Sequence, residues 1–149
     1  MRKIIAPFSG DYSFLSNFYP SPIKVISPDN KMFIAATVEH AYQAAKTIIP
    51  DQYKFVILAN TPGRAKKLGR EVTIRNDWDS EKDSVMLELL RQKFSIPELK
   101  QLLLATENAL LIERNTWGDT YWGEYRGIGE NMLGMLLMQV RSEIKNSVA

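Results

Sequence analysis

The residues best suited to chemistry are concentrated in Tyr121-Trp122-Gly123-Glu124-Tyr125-Arg126-Gly127-Ile128-Gly129-Glu130-Asn131-Met132-Leu133-Gly134, where rings, carboxylates, a guanidinium and glycines share one short stretch. Glycines at 123, 127 and 129 let the backbone bend tightly or approach a ligand closely. The stretch runs straight into the apolar segment 132–140, which reads as a helix. A helix start brings N–H groups that suit an anionic ligand. So much ring area with so little flexible polar filler marks a binding or catalytic loop. The plainer reading is a Gly-rich turn whose aromatics plug the core.

Other candidates precede it. Phe14, Phe18 and Tyr19 flank Ser16-Asn17; an Asn between anchoring rings is either a turn residue capping its own backbone or an amide held to bond a sugar or base. Glu39, Gln43 and Lys46 fall at i, i+4 and i+7, a polar line along one helix. Glu39 in a first turn also complements the helix dipole, and His40 beside it is equally well read as a satisfied structural histidine. Arg64-Ala65-Lys66-Lys67-Leu68-Gly69-Arg70 places four cations in seven residues. Such a run is a solvated helix face, or a phosphate site in which Gly69 ends the helix and Arg70 presents a bidentate fork. Trp78 stands at a helix mouth, as a lid on the core or as a stacking platform for a base.

The elements that must position these residues are short. Strands and turns fill 4–33, with 23–26 and 32–34 forming a hairpin-like pair. The first clear helix is 37–48, with Thr37 as N-cap and Val38, Ala41, Tyr42, Ala45 and Ile49 as its apolar stripe. A second spans 51–59, and Thr61-Pro62 starts a third with a cap followed by proline at the first helical position. Segment 71–74 is strand-like, and a long helix follows Asn76-Asp77-Trp78 to about Phe94. Pro97 opens another short helix, 108–113 reads as a buried strand, and 115–119 is a turn. The final helix, 132–144, turns Leu133, Leu136, Leu137, Val140 and Ile144 inward before a polar tail. No internal repeat or linker divides the chain, so one domain, 1–149, is expected.

Bulk properties narrow the function. The length suits one compact domain, and 45% hydrophobic with 24% charged residues is ordinary for a globular protein. A net charge of +2 gives no global attraction to nucleic acid, so only a local patch can supply one. The absence of cysteine excludes disulfides and Cys-ligated metal, and a single histidine excludes His-cluster metal sites. No metal and no cofactor are expected. No apolar run approaches a membrane span, and the first residues are too short and broken for a signal peptide, so a cytoplasmic protein without membrane partners is expected.

Four features then stand in a fixed order: Leu15-Ser16-Asn17-Phe18, Val38-Glu39-His40-Ala41-Tyr42-Gln43-Ala44-Ala45-Lys46, Asn76-Asp77-Trp78, and Tyr121-Trp122-Gly123-Glu124 with Gly129-Glu130-Asn131-Met132-Leu133-Gly134. Together they resemble the NADAR superfamily, in its YbiA-like branch. The basic stretch Ala65 to Arg70 and Leu102-Leu103-Leu104-Ala105-Thr106 support the likeness, which covers nearly the whole chain. The chain departs from the family pattern at Glu124, where Asp is common, and at Val38, where Ser is common.

The resemblance implies an α+β fold: a helix-rich single domain with a small antiparallel β portion. It also implies hydrolysis of an N-glycosidic bond. The substrate would be a phosphorylated, nucleoside-like small molecule, foremost a ribosylamino-pyrimidine phosphate of riboflavin biosynthesis. Alternatives are removal of ADP-ribose from guanine in nucleic acid, and a non-catalytic module that holds ADP-ribose or NAD. Breaking a C1′–N bond builds positive charge on the ribose, which a carboxylate can stabilise while it deprotonates water. That role falls to Glu39, with Glu124 protonating the base or orienting the water. Trp78 and Trp122 would stack on the base or sugar ring, Asn17 would hold ribose hydroxyls, and Lys46 and Arg70 would hold phosphate. Phe18, His40, Gln43, Tyr121 and Asn131 complete the expected substrate contacts.

Overall fold

The computed structural model describes residues 1–147. The architecture is α+β and helix-rich: six α-helices, one 3-10 helix and three two-stranded pairs among the described residues. None of these helices is long and apolar enough to cross a membrane. The chain forms two compact units, one of residues 17–93 and one that joins 1–16 to the segment from Phe94 onward.

The 17–93 unit is built around a short helix that is buried on every side. Strands Ile23–Ile26 (β2) and Met32–Ala35 (β3) form the antiparallel hairpin the sequence pattern predicts, with Ile23 opposite Ala35. Helix α1, Val38–Ala44, follows, and all seven of its residues are buried. Thr37 caps it as anticipated, its hydroxyl accepting the His40 amide at 3.1 Å. Helices α2 (Pro50–Ile57), α3 (Pro62–Gly69) and α4 (Trp78–Lys93) pack around α1. Because α1 is enclosed, its polar line is carried into the interior instead of along an exposed side.

Two expectations for this unit are corrected. Helix α1 ends at Ala44, so Ile49 is exposed and belongs to the N-cap of α2. Segment 71–74 forms no strand: the Thr73 amide donates to Gln52 Oε1 at 2.7 Å and the Arg75 amide to the Lys46 carbonyl at 2.7 Å. These latches satisfy the backbone without a neighbouring strand. The buried stripe of α4 contains Met86, Leu89 and Leu90 and also Lys93, a cation at a core position.

In the other unit, a 3-10 helix (Gly10–Leu15) packs on α5 (Pro97–Leu104), which packs on α6 (Met132–Ser147). Strand β1 (Ile4–Ile5) pairs in parallel with β4 (Leu110–Leu111), and β5 (Arg114–Asn115) in parallel with β6 (Glu124–Tyr125). The β portion is therefore one antiparallel hairpin and two parallel pairs, and the strand expected over 108–113 shortens to two residues. Helix α6 absorbs most of the expected polar tail, whose residues 148 and 149 lie outside the described ones. Leu133, Leu136, Leu137 and Val140 point inward, and Arg141 joins them, donating to Thr106 Oγ1 and the Ala109 carbonyl at 2.9 Å each.

Candidate active site

Glu39 is 7% exposed and begins the polar line of α1. Its amide donates to the Asn17 carbonyl at 3.1 Å, which ties the segment after the 3-10 helix to the first turn of α1. One turn on, Gln43 Nε2 donates to Glu39 Oε1 at 2.8 Å. A carboxylate removed from water needs such donors to stay charged. Among the described residues, two buried side-chain atoms have no hydrogen-bond partner in the protein, Asn17 Oδ1 and Gln43 Oε1. Both belong to residues bonded to Glu39. Buried acceptors are rarely left unpaired, so two of them on residues bonded to Glu39 set this place apart.

Positive charge gathers at Lys46, whose ammonium feels the Glu39 carboxylate. Lys46, half-buried just beyond α1, has its ammonium pushed below the ordinary lysine range, mainly by burial. Glu39 acts against that shift, while Arg70, Lys66 and Lys82 add to it. Lys46 Nζ also lies 5.7 Å from the centre of the Tyr42 ring, within cation–π range. Helix α3 brings Lys66 and, at its C-cap, Arg70; α4 brings Lys82. Sequence reasoning found Lys46 and Arg70 but missed Lys66 and Lys82 as individuals. Lys66 was hidden in a run that reads as a solvated face, and Lys82 carries no local signal.

The rings divide. Trp78 is 6% exposed and packs on Tyr42, centroids 5.2 Å apart and planes tilted by 54°. The ring is buried against Tyr42 of α1, the lid on the core that the sequence offered beside a stacking platform. Phe18, beside Asn17, is exposed and does present a ring. His40 is 1% exposed, with Nε2 2.9 Å from the Ala59 carbonyl and Nδ1 2.8 Å from Thr37 Oγ1. A carbonyl only accepts, so Nε2 carries the proton and Nδ1 accepts from the hydroxyl. Both nitrogens are used within the fold, the arrangement that the structural reading of His40 expects.

The Tyr121 to Gly134 stretch is likewise occupied with itself. The Met132 and Leu133 amides at the start of α6 donate to the Tyr121 and Trp122 carbonyls at 3.0 Å each, and the Asn131 amide to the Gly123 carbonyl at 3.3 Å. The helix start is thus capped by its own loop, which overturns the expectation that these N–H groups await an anion. Asn131, at φ 53°, accepts the Glu113 amide and donates to the Leu111 carbonyl, each at 2.9 Å. Its carboxamide is thus engaged on both sides within the fold, where the expectation was a substrate contact. Gly123 is needed for a close approach to the Glu113 carbonyl, where a Cβ would collide with that oxygen and lie 2.8 Å from Asn115 Nδ2. Tyr121 and Trp122 meet edge to face at 5.0 Å, both partly exposed. Glu124 lies on β6, partly exposed, its amide donating to the Glu113 carbonyl at 2.8 Å.

Comparison with known proteins agrees with the motif order. The NADAR domain family matches residues 7–145. N-glycosidase YbiA of Escherichia coli is 40% identical over 140 residues, which cover 91% of this chain and 84% of that protein. An N-glycosidase of Nostoc punctiforme is 38% identical over 142 residues, 91% of this chain and 87% of its own. The chloroplastic riboflavin biosynthesis protein PYRR of Zea mays is 38% identical over 151 residues, 92% of this chain but 24% of that longer protein. The solution NMR structure of E. coli YbiA superposes with a TM-score of 0.82 at 37% identity, covering 99% of this chain and 89% of that one. A family match across nearly the whole chain, and relatives this similar over most of their own length, establish that the chain belongs to the NADAR domain family.

Proposed function

We propose that this chain is an N-glycosidase that hydrolyses the C1′–N bond of a phosphorylated ribosyl base, with residues 7–145 acting as one NADAR domain and Glu39 as the reacting carboxylate. The reaction class, hydrolysis of an N-glycosyl compound, is the one its near-full-length relatives are named for. The substrate class is our own reading. The observation that carries it is Glu39: a buried carboxylate, bonded to Gln43, joined through its amide to Asn17, and acting on Lys46, which Arg70, Lys66 and Lys82 also reach.

Each part matches one part of such a substrate. As the C1′–N bond breaks, its electron pair leaves with the base and C1′ becomes cationic. Glu39 stabilises that charge and takes a proton from the water whose oxygen bonds to C1′. Asn17 Oδ1 accepts from a ribose hydroxyl. Three further cations and one carboxylate act on Lys46, an excess of positive charge that suits a phosphate dianion, which Arg70 can grip with two parallel N–H groups. Among named relatives one is a riboflavin biosynthesis protein, which favours a ribosylamino-pyrimidine phosphate as the substrate. The proton that Glu39 takes from the water then passes to the nitrogen of the departing base, so the base leaves neutral and the sugar keeps the new C1′–O bond.

The test is product analysis by liquid chromatography and mass spectrometry. Purified protein is incubated separately with a ribosylamino-pyrimidine phosphate, ADP-ribosylated guanosine, ADP-ribose and NAD, alongside the Glu39→Gln variant. Release of free base and ribose phosphate from the first, lowered about 100-fold or more in the variant, is the expected result. Release from ADP-ribosylated guanosine alone would replace the substrate class and keep the reaction. Release from none, with one compound still bound, would replace catalysis with recognition.

A further inference from the structure

Glu39 must be charged and aimed to act as proposed, and the structure holds it from behind. Gln43 and Glu39 are one turn apart on α1, and the Gln43 amide nitrogen donates to Glu39 Oε1 at 2.8 Å. The price of that bond is visible on the other side of the same carboxamide, whose oxygen is buried with no partner. Turning the amide over would set oxygen against carboxylate oxygen, so a charged Glu39 dictates this orientation.

The orphaned oxygen faces Gly69. A Cβ at that position would lie on the carboxamide, colliding with Oε1 and standing 2.8 Å from Cδ and 3.0 Å from Cβ of Gln43. Gly69 is the last residue of α3 and has no left-handed φ, so conformational freedom is not why glycine stands there. Helix propensity at this position argues for alanine. What glycine supplies is room for the Gln43 amide.

We infer that Gln43 and Gly69 form a positioning pair for Glu39: Gly69 leaves the one space in which the Gln43 carboxamide fits, and Gln43 aims the carboxylate and favours its charged form. The inference rests on the N-glycosidase reading of Glu39. It replaces the expectation that Gln43 contacts substrate, since one end of its amide is spent on Glu39 and the other is covered by Gly69. It also joins the carboxylate to the helix that carries Lys66 and Arg70, so the anion-binding and bond-breaking parts share one support.

The test compares native protein, Gln43→Met, Gly69→Ala, Gln43→Ala and the Gly69→Ala/Gln43→Ala pair on a ribosylamino-pyrimidine phosphate, with Glu39→Gln as control. Methionine keeps the volume and removes the donor. Gln43→Met is expected to lower kcat roughly tenfold with KM within about twofold of native. It should also move the acidic limb of the pH–rate profile to higher pH, because the bond that favours the charged carboxylate is gone. Gly69→Ala should lower kcat in native protein but add little to Gln43→Ala, where the amide it would displace is absent. A separate readout needs no turnover: the side-chain amide NMR signals of Gln43 should titrate with Glu39 and stop titrating in Glu39→Gln. An unshifted acidic limb in Gln43→Met, additive losses in the double variant, or Gln43 signals indifferent to Glu39→Gln would each overturn the pair. A fully active Glu39→Gln would instead overturn the role of Glu39, with the NMR result still deciding whether the clamp exists.

Discussion

The Asn131 carboxamide donates to the Leu111 carbonyl at 2.9 Å while its oxygen accepts the Glu113 amide at the same distance. One side chain thus fastens the start of α6 to strand β4 and the residue two beyond it, and does so at φ 53°, a conformation Asn tolerates better than other non-glycine residues. Gly134 completes the joint, because a Cβ there would collide with the Leu111 carbonyl and with the Asn131 amide. Asn131→Ala strands two buried backbone groups and should cost about 2–4 kcal/mol. Urea unfolding followed by circular dichroism measures it. Activity per folded molecule should be nearly unchanged, since the amide is spent within the fold; a selective loss of kcat in protein of native stability would return Asn131 to the site.

The cations around Lys46 give a prediction about substrate form. Lys46→Met and Arg70→Ala should each raise KM for a phosphorylated ribosyl base, by roughly tenfold to a hundredfold where a charge-assisted bond is lost. Neither should alter KM for the same compound without its phosphate. Steady-state kinetics on the two substrates, at two salt concentrations, separate a phosphate contact from general weakening. Equal losses on both compounds would assign these residues to the scaffold.

How far the sequence carried the site follows from these same residues. Glu39, Asn17, Lys46 and Arg70 stand out in the sequence only through the family resemblance, since each local pattern has an equally good structural reading. The N-cap at Thr37 and the hairpin were legible because each is a local pattern whose meaning does not depend on distant packing. The Tyr121 to Gly134 stretch misled, since rings, glycines and a helix start are equally the parts of a self-capping joint. What decides between the two is where its carbonyls point, and they point at its own amides. The closeness of Gln43 to Gly69 could not be read, because the two are 26 positions apart and neither gives a sign of the other. Segment 71–74 has strand composition, yet Gln52 and Lys46 take its hydrogen bonds before any strand can.

His40 gives a prediction of opposite sense to Glu39, its neighbour. Its ring links the cap residue Thr37 to the Ala59 carbonyl after α2, with both nitrogens engaged. His40→Ala removes both bonds and most of a buried ring, so the unfolding free energy should fall by about 2–4 kcal/mol. Below the lowered transition temperature, KM should stay within about twofold of native. Calorimetry together with kinetics at low temperature checks both halves. A native-like Tm with a large rise in KM would make His40 a substrate contact after all.

Lys93 supplies the pH prediction. Its side chain is 0% exposed, Nζ lies 5.8 Å from the centre of the Tyr19 ring, and burial pushes its ammonium down to about 7. In the unfolded chain a lysine titrates near ~10.4. Between those two values the unfolded chain binds more protons at this site than the folded one, so stability rises with pH through that window. Below about 7 both states carry the charge, and the cost of burying it is present in full. Lys93→Met keeps the long unbranched stem and removes the titrating group. The variant should be more stable than native protein at pH 6, and the advantage should shrink steadily toward pH 10. Urea denaturation at pH 6, 7, 8, 9 and 10 follows the difference directly. A constant offset across that series would mean that Lys93 has the same proton affinity folded and unfolded, and that the effect of the substitution is packing alone.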